Sequence, residues 1–166
     1  MKIYKQRYTI LFLLLSYHLM AQPQHTTEQQ VVALIDNVIG WQSQQTEHIE
    51  KFTLTNWQFA SYYIGMMKAY KTTGNKAYQE FLIQIGEDHQ WETPPDMYHA
   101  DKIAISQVYL DLYQQIGDTV LIKNTKWVLD AHLLRNKPKP DVRYNNNPYK
   151  HEWWSWCDAL FMAPPT

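Results

Sequence analysis

A tyrosine followed four residues later by a glycine occurs twice in the chain, as Tyr70–Gly74 and Tyr113–Gly117, 43 residues apart. Each glycine closes a run of apolar residues at helical spacing. Phe59, Tyr62, Tyr63, Met66, Met67 and Tyr70 follow an i, i+3, i+4, i+7 pattern before Gly74-Asn75. Ile105, Val108, Tyr109, Leu112, Tyr113 and Ile116 repeat it before Gly117-Asp118. A glycine just past such a stripe is the residue that most cheaply takes the left-handed conformation ending a helix. After each break the period resumes, through Tyr78, Phe81, Leu82 and Ile85, and then through Val120, Leu121, Asn124, Trp127, Val128, Ala131 and Leu134. The repeating unit is a helix, a tight glycine turn and an antiparallel helix. A lone hairpin of this kind cannot bury its apolar side, so the units must stack side by side.

An earlier helix is predicted over residues 28–40, where Val31, Val32, Leu34, Ile35, Val38 and Ile39 form a broad apolar side. Loop chemistry separates the rest. Thr93-Pro94-Pro95 ends the first hairpin, and Lys137-Pro138-Lys139-Pro140 with Asn145-Asn146-Asn147-Pro148 interrupts the chain over 136–152. Seven Trp and twelve Tyr exceed what a disordered chain carries. At the N-terminus, Lys2, Lys5 and Arg7 precede an apolar run over 10–15, and Ala21 offers a small residue for cleavage. That is the layout of a secretory signal peptide over residues 1–21, which predicts a secreted or periplasmic protein. Its removal leaves no segment long and apolar enough to span a membrane.

Charge and cysteine content exclude several classes. A net charge of −1 leaves no concentrated basic surface, so nucleic acid is not the expected partner. Cys157 is the only cysteine, which excludes an intramolecular disulfide and a cysteine-based zinc site. The seven histidines show no HExxH spacing, and no P-loop, GxGxxG or GxSxG motif occurs.

Two carboxylates have suggestive surroundings. Asp101 follows Tyr98-His99-Ala100 and opens a helix predicted over 101–116, and Asp158 follows Trp153, Trp154 and Trp156. A carboxylate held in a desolvated aromatic setting has its charged form disfavoured and can donate a proton near neutrality. Paired carboxylates flanking a sugar are the usual machinery of glycoside hydrolysis. The structural alternatives are an N-cap for Asp101, a core role for the tryptophans and for Met66-Met67, a small buried hydrophobe at Cys157, and loop or surface positions for His99 and His151.

Resemblance adds to this. Tyr98-His99-Ala100-Asp101, then Gln107-Val108-Tyr109-Leu110-Asp111-Leu112-Tyr113, and above all Trp156-Cys157-Asp158-Ala159-Leu160-Phe161-Met162-Ala163-Pro164-Pro165, are similar to signature blocks of glycoside hydrolase family 105. These are the unsaturated rhamnogalacturonyl hydrolases, related to the unsaturated glucuronyl hydrolases of family 88. The similarity spans roughly residues 30–166. It implies an all-α fold of helical hairpins forming part of an (α/α)6 toroid, with residues 22–166 as the N-terminal half of the catalytic domain. A half-toroid on its own would expose an apolar edge, and such a fragment is expected to be poorly soluble and inactive.

Carried over residue by residue, Asp158 matches the family's general acid/base and Asp101 its second aspartate, with Trp156 and His99 beside the sugar. The implied partner is an oligosaccharide ending in a 4,5-unsaturated uronic acid, such as unsaturated galacturonyl-rhamnose from pectin. The implied reaction, vinyl-ether hydration, needs no metal or organic cofactor. Lys102 departs from relatives that carry an acid there, and Ser106 from relatives that carry glycine. Lys102 is read either as pairing with the substrate carboxylate or, in preference, as solvated, and Ser106 as harmless. The rival reading is a non-catalytic helical-repeat protein, whose 43-residue period lies nearer HEAT than TPR lengths. Aspartates converging in one place favour the enzyme, and separate solvated caps favour the binding array.

Overall fold

The structure, a computed structural model, describes residues 26–45, 55–135, 152, 154 and 156–166. The predicted signal peptide and the 136–151 loop, with His151, lie outside the described residues, as does Trp153. Two compact units are present, Met1–Asn37 and Val38–Thr166, and the boundary passes through helix α1, Glu28–Ser43.

In the first unit, α1 starts at a reciprocal cap. Thr27 accepts from the Gln30 amide at 3.2 Å, and Gln30 Oε1 accepts from the Thr27 amide at 2.9 Å. The helix was expected to bury one side, yet none of its residues is buried, and Leu34 is 63% exposed. Within the second unit, the last turns of α1 are held by Tyr62, whose hydroxyl donates to the Ile39 carbonyl at 3.4 Å and lies 3.2 Å from Ser43 Oγ.

The two hairpins form as the repeat predicts. Helix α2, Trp57–Thr73, ends at Gly74 with φ 72°, whose amide donates to the Tyr70 carbonyl at 2.8 Å. Asn75 then caps α3, Lys76–Asp88, by accepting from the Ala77 amide at 3.2 Å. Helix α5, Ser106–Ile116, ends at Gly117 with φ 81°, bonded to the Tyr113 carbonyl at the same 2.8 Å. Asp118 accepts from the Val120 amide, starting a 3-10 turn, Thr119–Ile122, that leads into α6, Lys123–Leu134. The 43-residue repeat is thus a repeated device: left-handed glycine, then a side-chain cap.

The helices α2, α3 and α5 pack on one another, with α6 joined to α5. Tyr63, Met67, Leu82, Val108, Tyr109 and Leu112 meet in the core with almost no exposure, and Val128 of α6 joins them. Met66 and Met67 are buried, as expected. Lys71 pairs with Asp111 at 2.5 Å across α2 and α5. Ser106 and Thr125, both fully buried, satisfy each other at 3.1 Å between α5 and α6, so the serine is a partnered core group. On α6 the predicted stripe is only half used: Leu121 before it and Val128 within it are buried, whereas Trp127 and Leu134 are exposed.

Sequence periodicity predicted one helix over 101–116. The chain forms two, α4 (Ala100–Ile103) and α5, with a tightened link at Ala104–Ile105. Ile103, Ala104 and Ile105 are all completely buried. A helix with one wet side turns only about every third or fourth residue to the core, so three in succession need the break. Every described residue is helical, turn or irregular, with no strand among them, as part of an (α/α)6 toroid requires.

Candidate active site

The short helix α4 and the C-terminal helix α7, Ala159–Met162, pack against each other. Asp101 lies in the first turn of α4, and Asp158 immediately precedes α7. Gln107, the second residue of α5, holds this arrangement by donating from Nε2 to the carbonyls of Phe161 at 2.7 Å and Met162 at 3.1 Å. The two carboxylates, 57 residues apart in sequence, therefore belong to, or directly precede, two short helices that pack together.

Neither carboxylate caps its helix. The cap of α4 is His99, whose Nδ1 accepts from the Asp101 amide at 3.2 Å. An accepting Nδ1 is unprotonated, which puts the proton of the neutral ring on Nε2. Asp101 Oδ2 sits 3.9 Å from the same nitrogen, so protonating His99 would exchange the amide contact for a carboxylate partner. Asp158 makes no side-chain cap bond; its carbonyl receives the amides of Phe161 and Met162 instead. The cap expected at Asp101 thus belongs to His99, two residues earlier.

Four further expectations are corrected. Asp158 was expected in a desolvated aromatic setting, but its side chain is exposed. Cys157, expected to be buried, is also exposed, because the turn that begins α7 points residues 156–158 outward. Trp156 is 54% exposed, which removes it from the core, two residues before the exposed Asp158. Lys102 is not solvated: it is half-buried and donates to Asn56 Oδ1 at 3.1 Å.

The segment before Asp158 is fastened to the segment before Asp101 by a cluster the sequence did not single out. Trp154 Nε1 donates to the Tyr98 carbonyl at 3.0 Å. The His132 ring stands 5.2 Å from Tyr98 and 5.3 Å from Trp154, and its Nε2 donates to the Met97 carbonyl at 2.8 Å. The Arg135 guanidinium stacks 4.1 Å above Tyr98 and pairs with Glu152. Trp154 takes a left-handed φ of 51°, a conformation a tryptophan adopts only when its surroundings impose it. His132 and Arg135 lie on α6 and just after it, outside any motif, so only the three-dimensional arrangement joins them to Tyr98 and Trp154. Among the described residues, no group of three or more His, Cys, Asp and Glu side chains is placed to hold a metal ion.

Comparison with known proteins bears on this arrangement. The profile of glycosyl hydrolase family 88 matches residues 32–166, a stretch that includes Asp101, the Tyr98 cluster and Asp158. The chain belongs to glycosyl hydrolase family 88. Its resemblance to family 105 is consistent with that membership. Over 138 residues it is 33% identical to an unsaturated 3S-rhamnoglycuronyl hydrolase of Formosa agariphila, covering 82% of this chain and 36% of the relative. A protein of the same name from Alteromonas sp. (strain LOR) is 29% identical over 166 residues, 87% of this chain and 40% of the relative. The chain therefore spans well under half the length of the curated relatives it matches.

Proposed function

We propose that this family 88 chain contributes the acid/base side of a hydrolase acting on oligosaccharides that end in a 4,5-unsaturated uronic acid. The observation that supports the reading is the packing of α4, which contains Asp101, on α7, which Asp158 precedes, with neither carboxylate used as a side-chain cap. A binding array has no need of that. The unsaturated-glycuronyl activity in the names of both relatives supports the same substrate class.

In the proposed reaction the Asp158 carboxyl protonates C4 of the vinyl ether, and positive charge develops at C5 beside the ring oxygen. Water adds to C5, giving up its proton to the Asp158 carboxylate, which restores the acid. The resulting hemiketal opens the ring, and the exposed C1 centre then releases the neighbouring sugar as its alcohol. Asp101, oriented through the His99 cap, shares the carboxylate work, and Trp156, exposed at the surface, stacks against the sugar. Unsaturated galacturonyl-rhamnose from pectin is the proposed substrate, in a secreted or periplasmic setting.

The test is the loss of vinyl-ether absorbance on adding an unsaturated uronyl disaccharide to the protein, with Asp158→Asn as the control. Full activity in the variant would remove Asp158 from the acid role.

A further inference from the structure

Lys102 is the single lysine among the described residues that is not exposed; Lys68, Lys71, Lys76, Lys123 and Lys126 all are. Three of those exposed lysines nevertheless reach a carboxylate: Lys68 and Lys71 pair with Asp111, and Lys126 with Asp130. Lys102 does the reverse. Its half-buried ammonium meets only a neutral amide oxygen, Asn56 Oδ1, at 3.1 Å, and no carboxylate pairs with it among the described residues. An ammonium has three donors, and partial burial without a counter-ion costs free energy that one amide oxygen does not recover.

The bond to Asn56 has a second effect. Asn56 precedes α2 in the position from which an asparagine side chain would normally accept from the helix's first amides, and it makes no such bond. Its oxygen is turned to Lys102 instead. The positive end of the 17-residue helix α2, with no acidic residue in its first turn, and the Lys102 ammonium therefore lie together, and Lys102 forms no ion pair among the described residues. An ammonium held at the positive end of a helix opposes that end and does not stabilise the fold. Such a grouping suits an anion that arrives with the ligand.

We propose that Lys102 is a substrate-binding residue whose ammonium pairs with the carboxylate of the unsaturated uronic acid. This rests on the substrate class proposed above. Asn56 is its positioning residue, holding the ammonium over the α2 terminus. The contact would fix the uronate ring by its carboxylate, with Asp101 one residue away on α4.

The test compares an unsaturated uronyl disaccharide with its C6 methyl ester, which keeps the sugar and removes the charge. Binding to both is measured by calorimetry in the Asp158→Asn protein, with Lys102 intact or changed to Met or Arg. With Lys102 intact, the acid should bind more tightly than the ester. Lys102→Met should weaken the acid by roughly tenfold or more and leave the ester unchanged, and Lys102→Arg should recover most of the loss. The assignment is overturned if Lys102→Met leaves the acid unaffected, if it weakens acid and ester equally, or if neither sugar binds when Lys102 is present. Acid-selective binding through Lys102 that Trp156→Ala leaves unchanged would sink the placement of the sugar beside Asp158 and leave this contact standing.

Discussion

The ring of Trp91 occupies the space where a side chain on Gly86 would lie. A Cβ at Gly86 would come within 2.1 Å of the indole. The Trp91 amide donates back to the Gly86 carbonyl at 2.8 Å, and the ring meets Tyr109 edge-on at 5.2 Å. Trp91 itself has a φ of 58°, so the turn after α3 is bent to lay its ring on the glycine. Gly86→Ala must push the indole off Tyr109, and should cost about 1–3 kcal/mol or more, read as a lower urea midpoint. An unchanged midpoint would mean that Trp91 does not sit there in solution.

His99 offers a separation of stability from binding. Replacing a capping side chain with alanine costs about 1 kcal/mol, and asparagine caps as well as any residue. His99→Ala should therefore lower the unfolding free energy, whereas His99→Asn should hold it near the parent value. If His99 also lines the sugar, both variants should raise KM for the unsaturated disaccharide. A His99→Asn protein with parent KM would confine His99 to its structural duty.

The buried Ser106–Thr125 pair predicts a non-additive cycle. Thr125→Val strands the Ser106 hydroxyl in the core at a cost of about 1–3 kcal/mol. Adding Ser106→Ala removes the stranded group, so the double variant should be more stable than the sum of the single losses. Additive losses would show that the two hydroxyls do not meet.

Tyr63 and Tyr109 set the alkaline limit. Burial, and secondarily the neighbouring tyrosine in each case, raises both phenols well above the ordinary value of 10.0. Because the folded protein holds these protons more tightly than the unfolded chain, their contribution to stability is complete below pH 10 and is lost as the pH rises further. Alkaline titration followed by ultraviolet absorbance should show these two phenols ionising only with unfolding, while Tyr109→Phe moves the transition to higher pH. Reversible ionisation of every tyrosine before unfolding would contradict their burial.

The sequence announced the hairpins because their determinants are local. Gly74 and Gly117 end helices through their own backbone freedom, and Asn75 and Asp118 cap the next turn two residues away. The burial of Tyr63, Met67 and Leu112 follows from period alone. What escaped the sequence depends on partners distant in the chain. The break at Ala104–Ile105 reflects burial from both sides, which periodicity cannot report. Lys102 looked solvated because Asn56, its acceptor, lies 46 residues earlier. The link from Trp154 to Tyr98 spans 56 residues, and His132 had no neighbour in sequence to mark it. Asp101 and Asp158 were singled out by their flanking residues; their adjoining helices are a matter of tertiary packing.

The two glycine turns carry a stereochemical consequence. Gly74 and Gly117 sit at φ 72° and 81°, and a Cβ built on either would meet nothing within 4 Å. The obstacle to a larger residue there is handedness alone, since an L side chain is strained at these angles and a mirror-image one is at home. A D-alanine at either position would fit the native backbone while restricting the unfolded chain. The protein thus holds two places, one per hairpin, where inverted chirality would strengthen the fold.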